Sequence, residues 1–193
     1  MQQVLLTVLV AAASLGQARG SESSWDEAYG KAKAALAKLN QTEKIGIVTG
    51  VKWANGPCVG NTYAPSSIPY PSLCLQDSPL GIRFANPVTA FPAGINAGAT
   101  WDRSLIHARG VAMGAEAKGL GVNVQLGPVA GPLGKNAMGG RNWEGFAADP
   151  YLSGIAMHET IQGMQSSGVQ ACAKVRSISP LRYIFFTQRA KSK

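Results

Sequence analysis

Three short apolar runs, at residues 73–75, 122–126 and 169–173, are separated by two long stretches that carry helix start and stop signals. This alternation constrains the fold more than any other feature. A helix between two strands returns the chain to the same end of the sheet, so the strands pair in parallel, as a doubly wound sheet or a barrel. In both architectures ligands are held by the loops that leave the carboxyl ends of the strands. Asp77 follows the first run, Arg141 lies in the loop after the second, and Lys174 closes the third.

The helices are read from their ends. Ser24-Trp25-Asp26-Glu27 fits a capping box, and the Ala- and Lys-rich run behind it predicts a helix to Leu39, ending near Asn40. A shorter helix is expected over residues 42–48, stopped by Gly50. After the loop FANPVTAFPAG a third runs over residues 101–118 to Gly119, and the fourth starts at Asp149 as N-cap with Pro150 at the first helical position. The fourth carries Met157, Ile161 and Met164 on one face and ends at Gly168.

Composition places the chain among globular proteins, since 46% of its 193 residues are hydrophobic and only 15% charged, while 23 Gly and 11 Pro signal many turns. The formal charge of +8 is unevenly spread. Residues 21–174 hold 12 Lys and Arg against 10 Asp and Glu, a net of +2, and five of the remaining basic residues follow Lys174. A nearly neutral body lacks the basic face that nucleic-acid binding requires. The apolar segment from Val4 to about Leu15 is short for a bilayer span and suits a secretory leader, cut after Ala18 or Gly20, so residues 1–20 are assigned to a signal peptide and the protein to the extracellular space.

In an oxidising compartment Cys58 and Cys74, which bracket the Pro-rich loop GNTYAPSSIPYPSL, are expected to form a disulfide, and Cys172 is left as a buried free thiol. Asn40-Gln41-Thr42 is an N-glycosylation sequon.

Several familiar signatures fail. His158-Glu159-Thr160-Ile161-Gln162 lacks the second histidine of a zinc helix, and the glycines around Lys135 have the wrong spacing for a phosphate loop. Gly119-Leu120-Gly121 precedes a strand, the reverse of dinucleotide binding. No metal or cofactor is expected. His107 and His158 fall on helices and are read as packing or surface residues. What remains is a polar loop set of Asp77, Arg141, Glu144 and Lys174, with Trp143 as an apolar platform. One carboxylate with two cations suits a neutral ligand rich in hydroxyls, because the carboxylate accepts from adjacent hydroxyls and the cations donate to them. The alternative is an internal Asp77–Arg141 salt bridge that shapes the loops.

At these residues the sequence resembles the amino-terminal domain of secreted fungal β-glucosidases of glycoside hydrolase family 3. The resemblance spans residues 25–174 and rests on TEKIGIVTG, SLCLQDSPLGIR, TAFPAGINAGATWD, VNVQLGPVAGPLGKNAMGGRNWEGFAADPYLSG and VQACAK. It implies a (β/α)8 TIM-like barrel, of which the first half is present, and retaining hydrolysis of terminal β-D-glucosyl residues in β-glucosides or cello-oligosaccharides. It further implies that Asp77 binds sugar hydroxyls with Arg141 and Lys174 beside it, and it favours the Cys58–Cys74 bridge.

The resemblance stops after Lys174. The family continues with a histidine, whereas this chain continues Val175-Arg176-Ser177, so residues 175–193 are read as an unrelated basic tail without structure of its own. Val175-Arg176 is compatible with codons GTAAGR, which resemble an intron start. A retaining mechanism needs a nucleophilic carboxylate and a second as acid/base. In the family both come from later segments, so these residues read as a fragment that is inactive alone, or alternatively as a non-catalytic sugar-binding or interaction protein.

Overall fold

The computed structural model describes residues 24–77, 80–131 and 138–175. The expected leader at residues 1–20 lies outside them, as does the expected tail at 175–193 apart from Val175, which is paired in a strand instead of standing without structure. Two compact units divide at residue 38.

The first unit contributes helix α1, Trp25–Leu36. Ser24 Oγ accepts from the Glu27 amide at 3.2 Å, and Asp26 and Glu27 in the first turn oppose Lys33 in the last, the order that favours the helix dipole. Lys31 Nζ reaches Glu27 Oε1 at 2.5 Å, an i,i+4 pair worth a few tenths of a kcal/mol. The helix stops three residues short of Leu39.

The second unit opens with α2, Gln41–Thr49, and here the capping box is complete. Asn40 Oδ1 accepts from the Glu43 amide at 2.9 Å while the Asn40 amide donates to Glu43 Oε2 at 3.0 Å. Gly50 ends the helix at φ 69°, a backbone conformation open to glycine at little cost. Strand β1, Gly60–Asn61, then pairs antiparallel with β2, Cys74–Asp77. The Cys58–Cys74 disulfide, 5.5 Å between Cα atoms, clamps this pair.

The alternation of strands and helices follows. Helices α3, Gly94–Ala99, and α4, Arg103–Gly119, lead from β2 to β3, Val124–Leu126. A cis Gly127-Pro128 bond separates β3 from β4, Val129–Ala130, and helix α5, Pro150–Ser166, leads to β5, Gln170–Ala171. β2, β3 and β5 lie side by side in parallel, with Gln76 opposite Gln125 and Gln125 opposite Ala171. This is the wall of an α/β barrel, present in part. Asp102 caps α4 by accepting from the Ser104 and Leu105 amides, and Asp149 caps α5 by accepting from Leu152 at 2.6 Å. α3 replaces what was expected to be loop, and α4 starts two residues after Trp101.

The third apolar run also differs from expectation. Only Gln170–Ala171 of it forms β5, and just beyond it a separate β6, Lys174–Val175, pairs in parallel with β4: Val129 faces Lys174 and Ala130 faces Val175. Lys174 is therefore the first residue of its own strand, displaced from β5 along with β4 from β3.

Buried and half-buried residues alternate along β2 and β3, and this identifies the covered face. Cys74 packs with Ala117, Val122 and Val169, while Ala171 packs with Met113 of α4 and Met164 of α5. Leu75, Asp77, Val124, Leu126 and Gln170 consequently lie on the opposite face. That face is the inner one of a barrel, and Asp77 stands at its carboxyl end.

Candidate functional site

The site begins with a one-turn 3-10 helix, Asn142–Glu144, preceded by Arg141. Residues i and i+3 eclipse in such a turn, so Arg141 and Glu144 project from the same side. The Arg141 guanidinium grips Glu144 in a two-pronged fork, Nε donating to Oε1 and Nη2 to Oε2, the latter at 2.8 Å. Lys174 Nζ approaches Glu144 Oε2 to 3.9 Å from β6. The Glu144 side chain is 3% exposed, against 40% for Arg141 and 18% for Lys174, so a sealed carboxylate carries two partly accessible cations.

The small α3 helix fixes this turn from behind. A Cβ on Gly94 would meet the Glu144 carbonyl oxygen at 2.2 Å, and one on Gly98 would meet that of Phe146 at 2.3 Å. Only glycine permits this backbone contact. Val129 also bridges to Gly145, which ties the turn to the strand that carries Lys174.

Asp77, in register with Leu126 three residues before Val129, is half-buried. Among the described residues its carboxylate makes no hydrogen bond or ion pair; its amide donates to Gln76 Oε1. Arg141 and Lys174 are thus brought together on Glu144, and Asp77 joins neither. The alternative Asp77–Arg141 bridge does not form, because the local i,i+3 geometry hands Arg141 to Glu144. Trp143 is 39% exposed and its indole N–H donates to the Gly140 carbonyl.

From sequence, one participant was placed in the polar loop set without a role and another was missed. Glu144 was noted without a role, although its i,i+3 spacing from Arg141 was a readable signal. Arg109 of α4 gave no signal at all. Its Nε donates to the Pro92 carbonyl at 2.8 Å, and burial pulls its guanidinium down to about 10. It lines a small, partly open recess with Gly94, Met113, Val129, Glu144 and Phe146. Cys172 is free but only half-buried; burial pushes its thiol up, partly opposed by the Lys174 charge. His107 Nδ1 lies 3.5 Å from Glu159 on α5 and His158 is exposed, so neither belongs to the site. Asn40 is exposed at the head of α2, with Oδ1 engaged in the cap.

The site thus combines a carboxylate at the carboxyl end of β2 with two cations anchored on Glu144, beside a partial α/β barrel wall. Residues 60–175 match the Glycosyl hydrolase family 3 N terminal domain, and the chain belongs to that family. It is 74% identical over 174 residues to a probable beta-glucosidase L of Aspergillus fumigatus, covering 90% of this chain and 24% of that one. Among solved structures, the beta-glucosidase D2-BGL from Chaetomella raphigera is 64% identical with a TM-score of 0.73, covering 80% of this chain and 22% of that one. Beta-glucosidase 3B from Thermotoga neapolitana, in complex with glucose, is 32% identical with a TM-score of 0.67, covering 75% and 22%. The chain therefore spans about a quarter of the length of these relatives. No helix among the described residues is long and apolar enough to cross a membrane.

Proposed function

We propose that these residues form the glucose-holding part of a secreted retaining β-glucosidase, with Asp77, Arg141 and Lys174 binding the terminal glucosyl unit of a β-glucoside or cello-oligosaccharide. The observation that carries this reading is the unpartnered Asp77 carboxylate on the inner face of the barrel wall. An ionised carboxylate accepts from two neighbouring hydroxyls without losing an internal partner. Glu144 offsets one of the two positive charges of Arg141 and Lys174 and holds both side chains, which keep N–H groups to donate to sugar hydroxyls. Residues 1–20 are the secretory leader, residues 21–174 the barrel segment, and residues 175–193 a tail outside the sugar-binding reading. The Cys58–Cys74 bridge supports an oxidising destination, and Asn40 is the glycan acceptor.

Bond cleavage needs two carboxylates flanking the glycosidic bond, one as nucleophile and one as acid/base. On this reading residues 21–174 supply recognition, and the two cleaving carboxylates lie outside them. The test is titration of the 193-residue chain with methyl β-D-glucopyranoside alongside Asp77→Ala. Saturable binding lost in the variant is expected; equal binding by both would overturn the assignment. The second reading, a sugar-binding or interaction protein without catalysis, rests on the same unpartnered Asp77 carboxylate. Cooperative unfolding with a midpoint raised by glucose would support it, and aggregation would oppose it.

A further inference from the structure

Glu144 sits where two observations meet, and the proposed function gives it no contact with substrate. We infer that Glu144 is a positioning residue: a buried carboxylate that sets the direction of Arg141 and the height of Lys174, so that both cations address one sugar ring. The inference rests on the substrate-binding reading of those two cations.

The geometry carries it in three steps. A carboxylate with its side chain 3% exposed has lost most of its water, and its charge must be met by fixed donors. The fork from Arg141 meets both oxygens at once, which removes the rotational freedom a single hydrogen bond would leave. Oε2 is then shared with Lys174, so one side chain couples a loop residue to a strand residue 33 positions later in the chain. The backbone of Glu144 is itself immobilised, since its carbonyl lies against Gly94. A buried anion on a rigid backbone, shared by two cations from different elements, transmits position better than either long cation could hold its own. Shortening or neutralising Glu144 therefore affects Arg141 and Lys174 together.

The test uses the 193-residue chain, methyl β-D-glucopyranoside as probe, and the NMR signal of the arginine Nε–H, with Arg141 assigned by its loss in Arg141→Lys. Glu144→Gln is expected to displace the Arg141 signal and weaken sugar binding at least tenfold. Glu144→Asp keeps the charge on an arm one methylene shorter; it is expected to recover folding but not affinity, which a purely electrostatic role would restore. Affinity within twofold of wild type in Glu144→Gln overturns the inference. Should neither Glu144 variant fold, Arg141→Lys breaks the fork from the other side, and unchanged affinity there overturns it equally. If the wild-type chain binds no sugar, the substrate-binding reading fails and the arginine signal decides alone: unmoved in Glu144→Gln it overturns the inference, displaced it supports it.

Discussion

A Cβ added to Gly110 would stand 2.7 Å from the carbonyl oxygen of Thr160, so helices α4 and α5 meet backbone to backbone at this crossing. Gly114 against Met164, and Gly163 against His107, repeat the contact on either side. These glycines bring the helices together where larger residues would hold them apart. Gly110→Ala gains helix propensity worth about 1 kcal/mol but overpacks the crossing by about 1–3 kcal/mol. Net loss of stability is expected in chemical denaturation. Gly154, exposed within α5 with open space around its Cα, is the control: Gly154→Ala is expected to stabilise by up to about 1 kcal/mol.

Acid sensitivity is expected at Glu43. Hydrogen bonding from Ser67 Oγ, with the Asn40 amide adding to it, holds the Glu43 carboxyl below its ordinary value of 4.5. A carboxylate whose folded value is depressed stabilises the protein fully above its unfolded value and loses that contribution as pH falls through the folded one. Glu43→Gln is expected to lower the denaturation midpoint at pH 7, and the gap to wild type is expected to narrow below pH 4.5. A gap constant across that range would show that the charge of Glu43 plays no part.

The disulfide joins residues 16 positions apart, and a loop of that size corresponds to about 3 kcal/mol in the chain-entropy account. Cys58→Ser with Cys74→Ser is expected to lose about that much, and reductant is expected to reproduce the loss in wild type. Cys172, half-buried with a raised thiol, is expected to react slowly with an alkylating reagent in the folded chain. Rapid labelling of all molecules would contradict its placement.

How legible the fold was depends on whether the determinant is local. Asp149-Pro150 fixed the start of α5 because a cap and its first turn are adjacent in sequence, and the same holds for Gly50 after α2. The α3 helix was missed because Gly94 and Gly98 weaken helix propensity, and their value appears only against the carbonyls of Glu144 and Phe146, some fifty residues away. β6 was not anticipated because its two residues lie beyond the apolar run, where nothing local shows that they pair with β4. In the candidate site, Asp77, Arg141 and Lys174 were located by their loops, since strand ends are marked by polarity. The approach of Lys174 to the Arg141–Glu144 pair was not, because it depends on the register of β4 with β6.

The remaining prediction concerns Asp77, whose substitution separates recognition from folding. A side chain with no internal partner among the described residues can be changed without orphaning a donor, so Asp77→Asn and Asp77→Ala are expected to move the thermal midpoint little. Each hydrogen bond from a sugar hydroxyl to an ionised acceptor is worth about 1.5–3 kcal/mol, so losing two is expected to weaken glucoside binding at least about a hundredfold. Asn retains an acceptor without the charge and is expected to fall between wild type and Ala. Hydrolysis of an aryl β-glucoside by the 193-residue chain is expected to stay at the level of Asp77→Ala, because recognition without the two cleaving carboxylates gives no turnover. Turnover clearly above that control would mean that cleaving groups lie within these residues, and the division of labour between holding and cutting would have to be redrawn.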